Sequence, residues 1–209
     1  MIIMLEVASL ECVRGDLSLF NDLTFSVNAG ELMHLHGHNG SGKTTLLRTL
    51  SGLVKPVHGE VLWLGENIDE LQEDFTRHLT YIGHKNAIKD DLSAVENLQI
   101  ASLLDGFAVS DEQAWQALDR IGLRGMEDLP TKVLSQGQKK RVALARLLVT
   151  QTSLWILDEP FVALDKQAVV LLEQVIRDHI ANGGLAIVTT HQEVSLTRGK
   201  VKELKLGWK

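Results

Sequence analysis

The sequence predicts an α/β fold built on a mainly parallel central sheet, with its ligand at the carboxyl ends of the strands. Three observations predict it. Apolar, strand-like runs alternate with helical stretches over most of the chain. Leu185-Ala186-Ile187-Val188-Thr189-Thr190 is nearly all apolar, the pattern of a strand buried on both faces of a parallel sheet. Gly37-His38-Asn39-Gly40-Ser41-Gly42-Lys43-Thr44-Thr45 matches the phosphate-loop pattern G-x-x-x-x-G-K-S/T without a mismatch, between a strand pattern and a helix pattern.

The elements follow in order. Residues 4–10 and 23–28 read as strands, and Leu23-Thr24-Phe25-Ser26-Val27 alternates as a half-buried strand should. Arg14-Gly15-Asp16 between them is a turn signal. Glu31 to His36 alternates and enters the phosphate loop; Thr45 to Leu50 leaves it as a helix. Glu60 to Gly65 and Leu79 to Gly83 read as short strands. From residue 88 to 146 helical stretches follow one another without strands, so this segment reads as a helical subdomain inserted into a single domain spanning 1–209. Ser93 with Glu96 has capping-box spacing, and Ser110 opens a second helix that Gly122 closes. Leu134 to Gln138 precedes a third, with Leu144, Leu147 and Leu148 at helical spacing. Leu154 to Glu159 is an apolar strand ending in two acids, and Gln167 to Ile180 is a helix ended by Asn182-Gly183-Gly184.

Composition narrows the function. At 209 residues and 44% hydrophobic content, one domain with a sizeable core is expected. A net charge of −6 argues against a nucleic-acid binder. The single cysteine, Cys12, excludes a disulfide framework within the chain and suits a reducing compartment. No apolar run approaches the roughly 18 residues of a membrane span, and the first residues lack the basic region of a signal peptide. Action at a membrane would therefore require docking on a partner.

The chemistry starts at the loop. Glycine admits positive φ and close approach, so backbone N–H groups turn inward on anionic oxygens. Lys43 supplies a charge for the β and γ phosphates, and the Thr44 hydroxyl is the expected magnesium ligand. The phosphates would lie at a helix N-terminus, where free N–H groups favour an anion. Asp158, at the end of an apolar strand, is placed to meet that magnesium; Glu159 is placed to polarise the water that attacks the γ phosphate.

Further stretches resemble the motifs of ABC ATPases. Leu134-Ser135-Gln136-Gly137-Gln138 resembles the family signature Leu-Ser-Gly-Gly-Gln, and Lys139 to Arg146 resembles the helix that follows it. Asp158-Glu159-Pro160 and Ala163-Leu164-Asp165 resemble the second nucleotide motif and the D-loop, and His191 matches the switch histidine. The order is the family's order. This resemblance implies a P-loop NTPase core with an N-terminal antiparallel β part, and ATP and Mg2+ as cofactors. It implies a head-to-tail homodimer in which ATP lies between one copy's phosphate loop and Ser135, Gly137 and Gln138 of the other, near Asp165, with His191 on the γ phosphate. It also implies integral-membrane subunits as partners, at the cytoplasmic face of the bacterial inner membrane.

Three positions depart from the common pattern. Arg14 stands where an aromatic residue usually stacks on adenine, and a guanidinium plane can also stack on a base. His84 replaces the usual Q-loop glutamine, so a metal or water contact there passes to an imidazole. Gln136 replaces the first signature glycine. With Tyr81-Ile82-Gly83-His84-Lys85-Asn86 and Lys139-Lys140-Arg141, these departures resemble the ATP-binding subunits of bacterial haem exporters used in cytochrome c maturation. That resemblance implies haem export, or release of haem from a carrier; the alternatives are another exporter or a soluble assembly ATPase. His34, His36 and His38 alternate, and packed core histidines are expected rather than a metal or haem site. The basic tail Arg198 to Lys205 reads as a solvated face, with contact to a partner or anionic lipid as the alternative.

Overall fold

A computed structural model describes residues 3–15, 17–190 and 200–207 of the chain. Two sheets form. The antiparallel one has the order β2-β1-β4-β5, from β1 (Ile3–Arg14), β2 (Leu17–Asn28), β4 (His58–Trp63) and β5 (Glu66–Asn67). The other is parallel throughout, in the order β6-β7-β8-β3-β9, from β3 (Glu31–Gly37), β6 (Leu79–Ile82), β7 (Leu154–Asp158), β8 (Leu185–Thr189) and β9 (Lys200–Leu206).

The first two strands run longer than their sequence pattern suggests because irregularities interrupt the alternation. Pairing of β1 with β2 shifts register between Val7 and Leu10, where Ser9 takes a φ of 46°. β4 turns into β5 through Leu64 and Gly65, both at positive φ (53° and 88°), the geometry of a two-residue type I′ turn.

Burial explains the layers. Along β7, Leu154 and Ile156 join a cluster with Leu5, Val7 and Leu10 of β1 and with Leu46, Leu47 and Leu50 of α1 (Lys43–Leu50). The alternate residues Trp155 and Leu157 join Leu172, Val175 and Ile176 of α8 (Lys166–Ala181) on the other face. Both faces of the parallel sheet are covered, and its strands β7 and β8 accordingly read as continuous apolar runs. Three leucines with no exposed surface anchor α1, each contributing about 1.5–3 kcal/mol by burial.

Two single-turn helices, α2 (Ile68–Leu71) and α3 (Glu73–Thr76), lead into β6. Four helices then follow without a strand: α4 (Ala94–Leu104), α5 (Asp111–Arg120), α6 (Gln136–Leu144) and α7 (Arg146–Val149). Capping boxes open three of them. Ser93 pairs with Glu96, Ser110 with Gln113 and Ser135 with Gln138, each serine accepting from the N3 amide while the N3 side chain accepts from the serine amide. Buried Asn97 ties the approach to α4, donating to the carbonyls of Lys89 (3.0 Å) and Ser93 (2.9 Å).

The tail departs from its expected role. Lys200–Leu206 is β9, hydrogen-bonded in parallel to β3 from Glu31↔Lys200 to Gly37↔Leu206. Lys202 is not simply solvated: its ammonium bonds Glu31 at 2.8 Å and the Ser26 carbonyl at 2.9 Å. Glu203 and Lys205 are exposed, as suits an edge strand, while Leu206 is buried.

Candidate functional site

β3 delivers the chain to the phosphate loop and α1 receives it. Gly42 caps α1 at φ +95°, which only glycine adopts freely. A Cβ there would also come within 3.1 Å of Leu19 and 3.3 Å of the Phe20 ring, so β2 closes down on the loop. Inside the loop, the Lys43 ammonium donates to the carbonyls of Gly37 (2.7 Å) and His38 (3.2 Å). Ser41 is buried, and its hydroxyl has no hydrogen-bond partner among the described residues.

A chain of hydrogen bonds crosses from α1 to the sheet. The Thr44 hydroxyl donates to Asp158 Oδ2 at 2.9 Å, and the Thr189 hydroxyl donates to Asp158 Oδ1 at 2.8 Å. The Thr189 oxygen in turn accepts from the Glu159 amide at 2.9 Å. Glu159 takes a φ of 50°, so the chain turns sharply as β7 ends. Thr44, Asp158 and Glu159 border a cleft of about 560 Å³ lined also by Asn39, Gly40, Gly42, Lys43 and Thr45 of the loop and α1, and by Leu19, His84 and Val162.

The arrangement fits a nucleotide and a metal. Free amides at the start of α1, with Lys43, suit a polyphosphate. Thr44 and Asp158 put two hard oxygens at one point, the donor type magnesium takes.

Other expected site residues lie elsewhere. Ser135, Gly137, Gln138 and Asp165 do not line the cleft of their own chain. Ser135 and Gln136 are exposed at the start of α6. A Cβ on Gly137 would lie 2.5 Å from the Ala163 carbonyl, so α6 packs tightly on the loop that follows Glu159. Arg141 pairs with Asp165, which caps α8 by accepting from the Ala168 amide at 2.9 Å. Gly37, His38 and Ser41 shape the loop without lining the cleft. His84, exposed, stands between this cleft and a second one of about 420 Å³ lined by Arg48, Tyr81 and Arg146. The Arg14 side chain and His191 lie outside the described residues.

His34 and His36 pack ring on ring on β3, centroids 3.8 Å apart, and no metal-binding cluster of three or more groups occurs among the described residues. Burial, then the neighbouring His36, holds the His34 imidazole below its ordinary pKa. β3 lies next to the sheet edge, between β8 and β9. Thr189 escaped the sequence reading; its signal is a hydroxyl ending a buried apolar strand, directly paired with Asp158.

Residues 20–162 match the ABC transporter family. The chain belongs to that family. Curated ABC relatives include the cytochrome c biogenesis ATP-binding export protein CcmA of Nitrosomonas europaea, 53% identical, covering 98% of this chain and 96% of that one. Its namesake in Dechloromonas aromatica is 52% identical over 98% of this chain and all of that one. Among solved structures, a putative ABC transporter ATP-binding protein from Pyrococcus furiosus superposes with a TM-score of 0.82 at 27% identity, covering 97% and 96% of the two chains. The fold is therefore that of an ABC ATPase, and the chain is a nucleotide-binding ATPase subunit. Among the described residues no helix is long and apolar enough to cross a membrane.

Proposed function

We propose that this ATPase is the motor subunit of a membrane export complex in cytochrome c biogenesis, and that the complex moves haem or releases it from a carrier. The observation that carries the site assignment is the Thr44–Asp158 hydrogen bond, which joins the phosphate loop to the strand acids across 114 positions. The likeness to the export proteins supports the cargo class.

Lys43 and the loop amides hold the β and γ phosphates of ATP. Thr44 and Asp158 would hold Mg2+, with His84 on the wall of the same cleft as a further metal or water contact. The metal supplies charge neutralisation at the phosphates. Glu159, on its sharp turn, orients and activates the attacking water. Arg14 stacks on adenine, and His191 stabilises the γ phosphate.

Two copies assemble head to tail. Ser135 is exposed at a helix N-terminus, and its hydroxyl accepts from the Gln138 amide while its own proton stays available to donate. Ser135, Gly137 and Gln138 of one copy then close the cleft of the other over ATP, with Asp165 beside them. Hydrolysis removes the γ phosphate that both copies share, and the pair opens against integral-membrane subunits at the cytoplasmic face of the inner membrane.

The test uses Glu159→Gln. Turnover is expected to fall by about 10²–10⁴-fold while ATP binding persists. Loaded with ATP, this variant is expected to double its mass in solution scattering, and Ser135→Arg added to it should restore the single copy. Undiminished turnover sinks the role of Glu159, and a single copy enclosing ATP unaided sinks the shared site. A pull-down from solubilised membranes is expected to recover a multispanning protein carrying a haem absorption band; a haem-free partner points to another exporter, and no partner to an assembly ATPase.

A further inference from the structure

Three consecutive cations, Lys139, Lys140 and Arg141, lie along α6. Two have carboxylate partners: Lys139 pairs with Asp90 and Arg141 with Asp165. Lys140 forms no ion pair within 4.0 Å among the described residues, yet it is only 3% exposed. A lysine is rarely placed so deep without a partner, because the charge loses its water and gains nothing in return. Burial accordingly pushes the Lys140 ammonium below its ordinary pKa, and the charges that oppose this are Asp158 and Glu159.

The position is held firmly. α6 is fixed to the loop after Glu159 at two points, Gly137 against the Ala163 carbonyl and Arg141 on Asp165. Asp158 already accepts hydroxyls from α1 and β8 on its two oxygens. Lys140 lies between the anchors at Gly137 and Arg141, buried, and the charges of Asp158 and Glu159 act on it without an ion pair within 4.0 Å.

We propose that Lys140 is a positioning residue, a resident cation that offsets the Asp158 and Glu159 carboxylates before the metal arrives and weakens their hold on the metal afterwards. This rests on the reading of Asp158 as a metal ligand. Fixed charge beside a metal site acts on a divalent ion with twice the force it exerts on a monovalent one. Lys140 would then set a metal affinity low enough for release with each cycle, and would do so from the helix whose N-terminus serves the neighbouring copy.

The experiment titrates Mn2+ into the full chain saturated with a non-hydrolysable ATP analogue and follows the free-ion signal by electron paramagnetic resonance, a readout independent of turnover. Lys140→Met is expected to tighten Mn2+ roughly three- to tenfold, and Lys140→Arg, which keeps the charge, to stay within about twofold of the parent. Lys140→Gln serves if the methionine variant does not fold, with the same expectation. Unchanged or weaker Mn2+ binding in the uncharged variants overturns the role of Lys140. Asp158→Asn separates the two readings: if it weakens Mn2+ while Lys140→Met does nothing, only this inference fails. If Asp158→Asn leaves Mn2+ binding intact, the metal site itself is misplaced.

Discussion

Strand β7 carries a buried polar cluster near each end, and the two behave differently. At its entry, Thr80 Oγ1 shares hydrogen bonds with Thr152 (2.7 Å) and Thr150 (3.1 Å), and the Trp155 indole donates to Thr152 at 3.1 Å. His179 stacks on Trp155 with ring centroids 3.7 Å apart and planes 4° apart, and Nε2 sits 3.2 Å from the Leu185 carbonyl. Thr150, Thr152, Trp155 and His179 also line a cleft, of about 490 Å³, but these groups bond to one another. At its exit, Asp158 accepts two hydroxyls, but a carboxylate has about four lone-pair sites, and this one borders a cleft. Buried polarity alone does not mark a site; unused bonding capacity facing a cleft does.

The sharpest way to break this contrast lies beside the exit cluster. Lys43 is bonded to two neutral carbonyls, so its charge is left for a ligand. Lys43→Ala is expected to lower ATP turnover by about a hundredfold or more with little change in unfolding midpoint, read by phosphate release and thermal melting. Turnover near the parent value would mean that the cleft does no chemistry. Thr189→Val comes next. It removes the donor to Asp158 and the acceptor for the Glu159 amide, and a tenfold or greater loss of turnover is expected, since tenfold corresponds to only about 1.4 kcal/mol. A stability loss with full turnover would move Thr189 into the same class as the entry cluster.

What the sequence made legible follows from the same contrast. The phosphate loop shows itself because each residue type answers a local need, and the serine-opened helices at Ser93 and Ser110 show themselves because caps are local too. Lys200–Leu206 did not, because a lysine-rich edge strand looks like any solvated tail until β3 is seen beside it. The same limit hid Thr189, whose meaning depends on Asp158 31 positions away, and Lys140, which no periodicity separates from its ion-paired neighbours. Function was legible further than geometry: the departures at Arg14 and His84 pointed to the subgroup that the relatives bear out.

The entry cluster predicts effects on stability without effects on chemistry. Thr152→Val leaves the Trp155 N–H buried without its acceptor and takes one partner from Thr80. A loss of about 1–3 kcal/mol is expected in denaturant unfolding, with phosphate release unchanged per folded molecule. A matching drop in turnover would show that the two ends of β7 are coupled, and the contrast would fail.

The last and smallest effect is a pH dependence at the same end. Burial holds the His179 imidazole down to about 4, although the backbone at Leu185 and Ser153 favours its charged form. In the unfolded chain a histidine takes up its proton near 6.5, so between pH 6.5 and 4 the unfolded state binds more protons than the folded one. The contribution of neutral His179 is therefore complete above pH 6.5 and is lost as the pH falls toward 4, by an amount on the order of 3 kcal/mol over the whole window. Urea unfolding at pH 7.5 and pH 5 should show the parent losing more stability than His179→Phe, which keeps a ring against Trp155 and has nothing to protonate. Equal losses in the two proteins would mean that another group carries the acid sensitivity, and that the stacked ring is no more than packing.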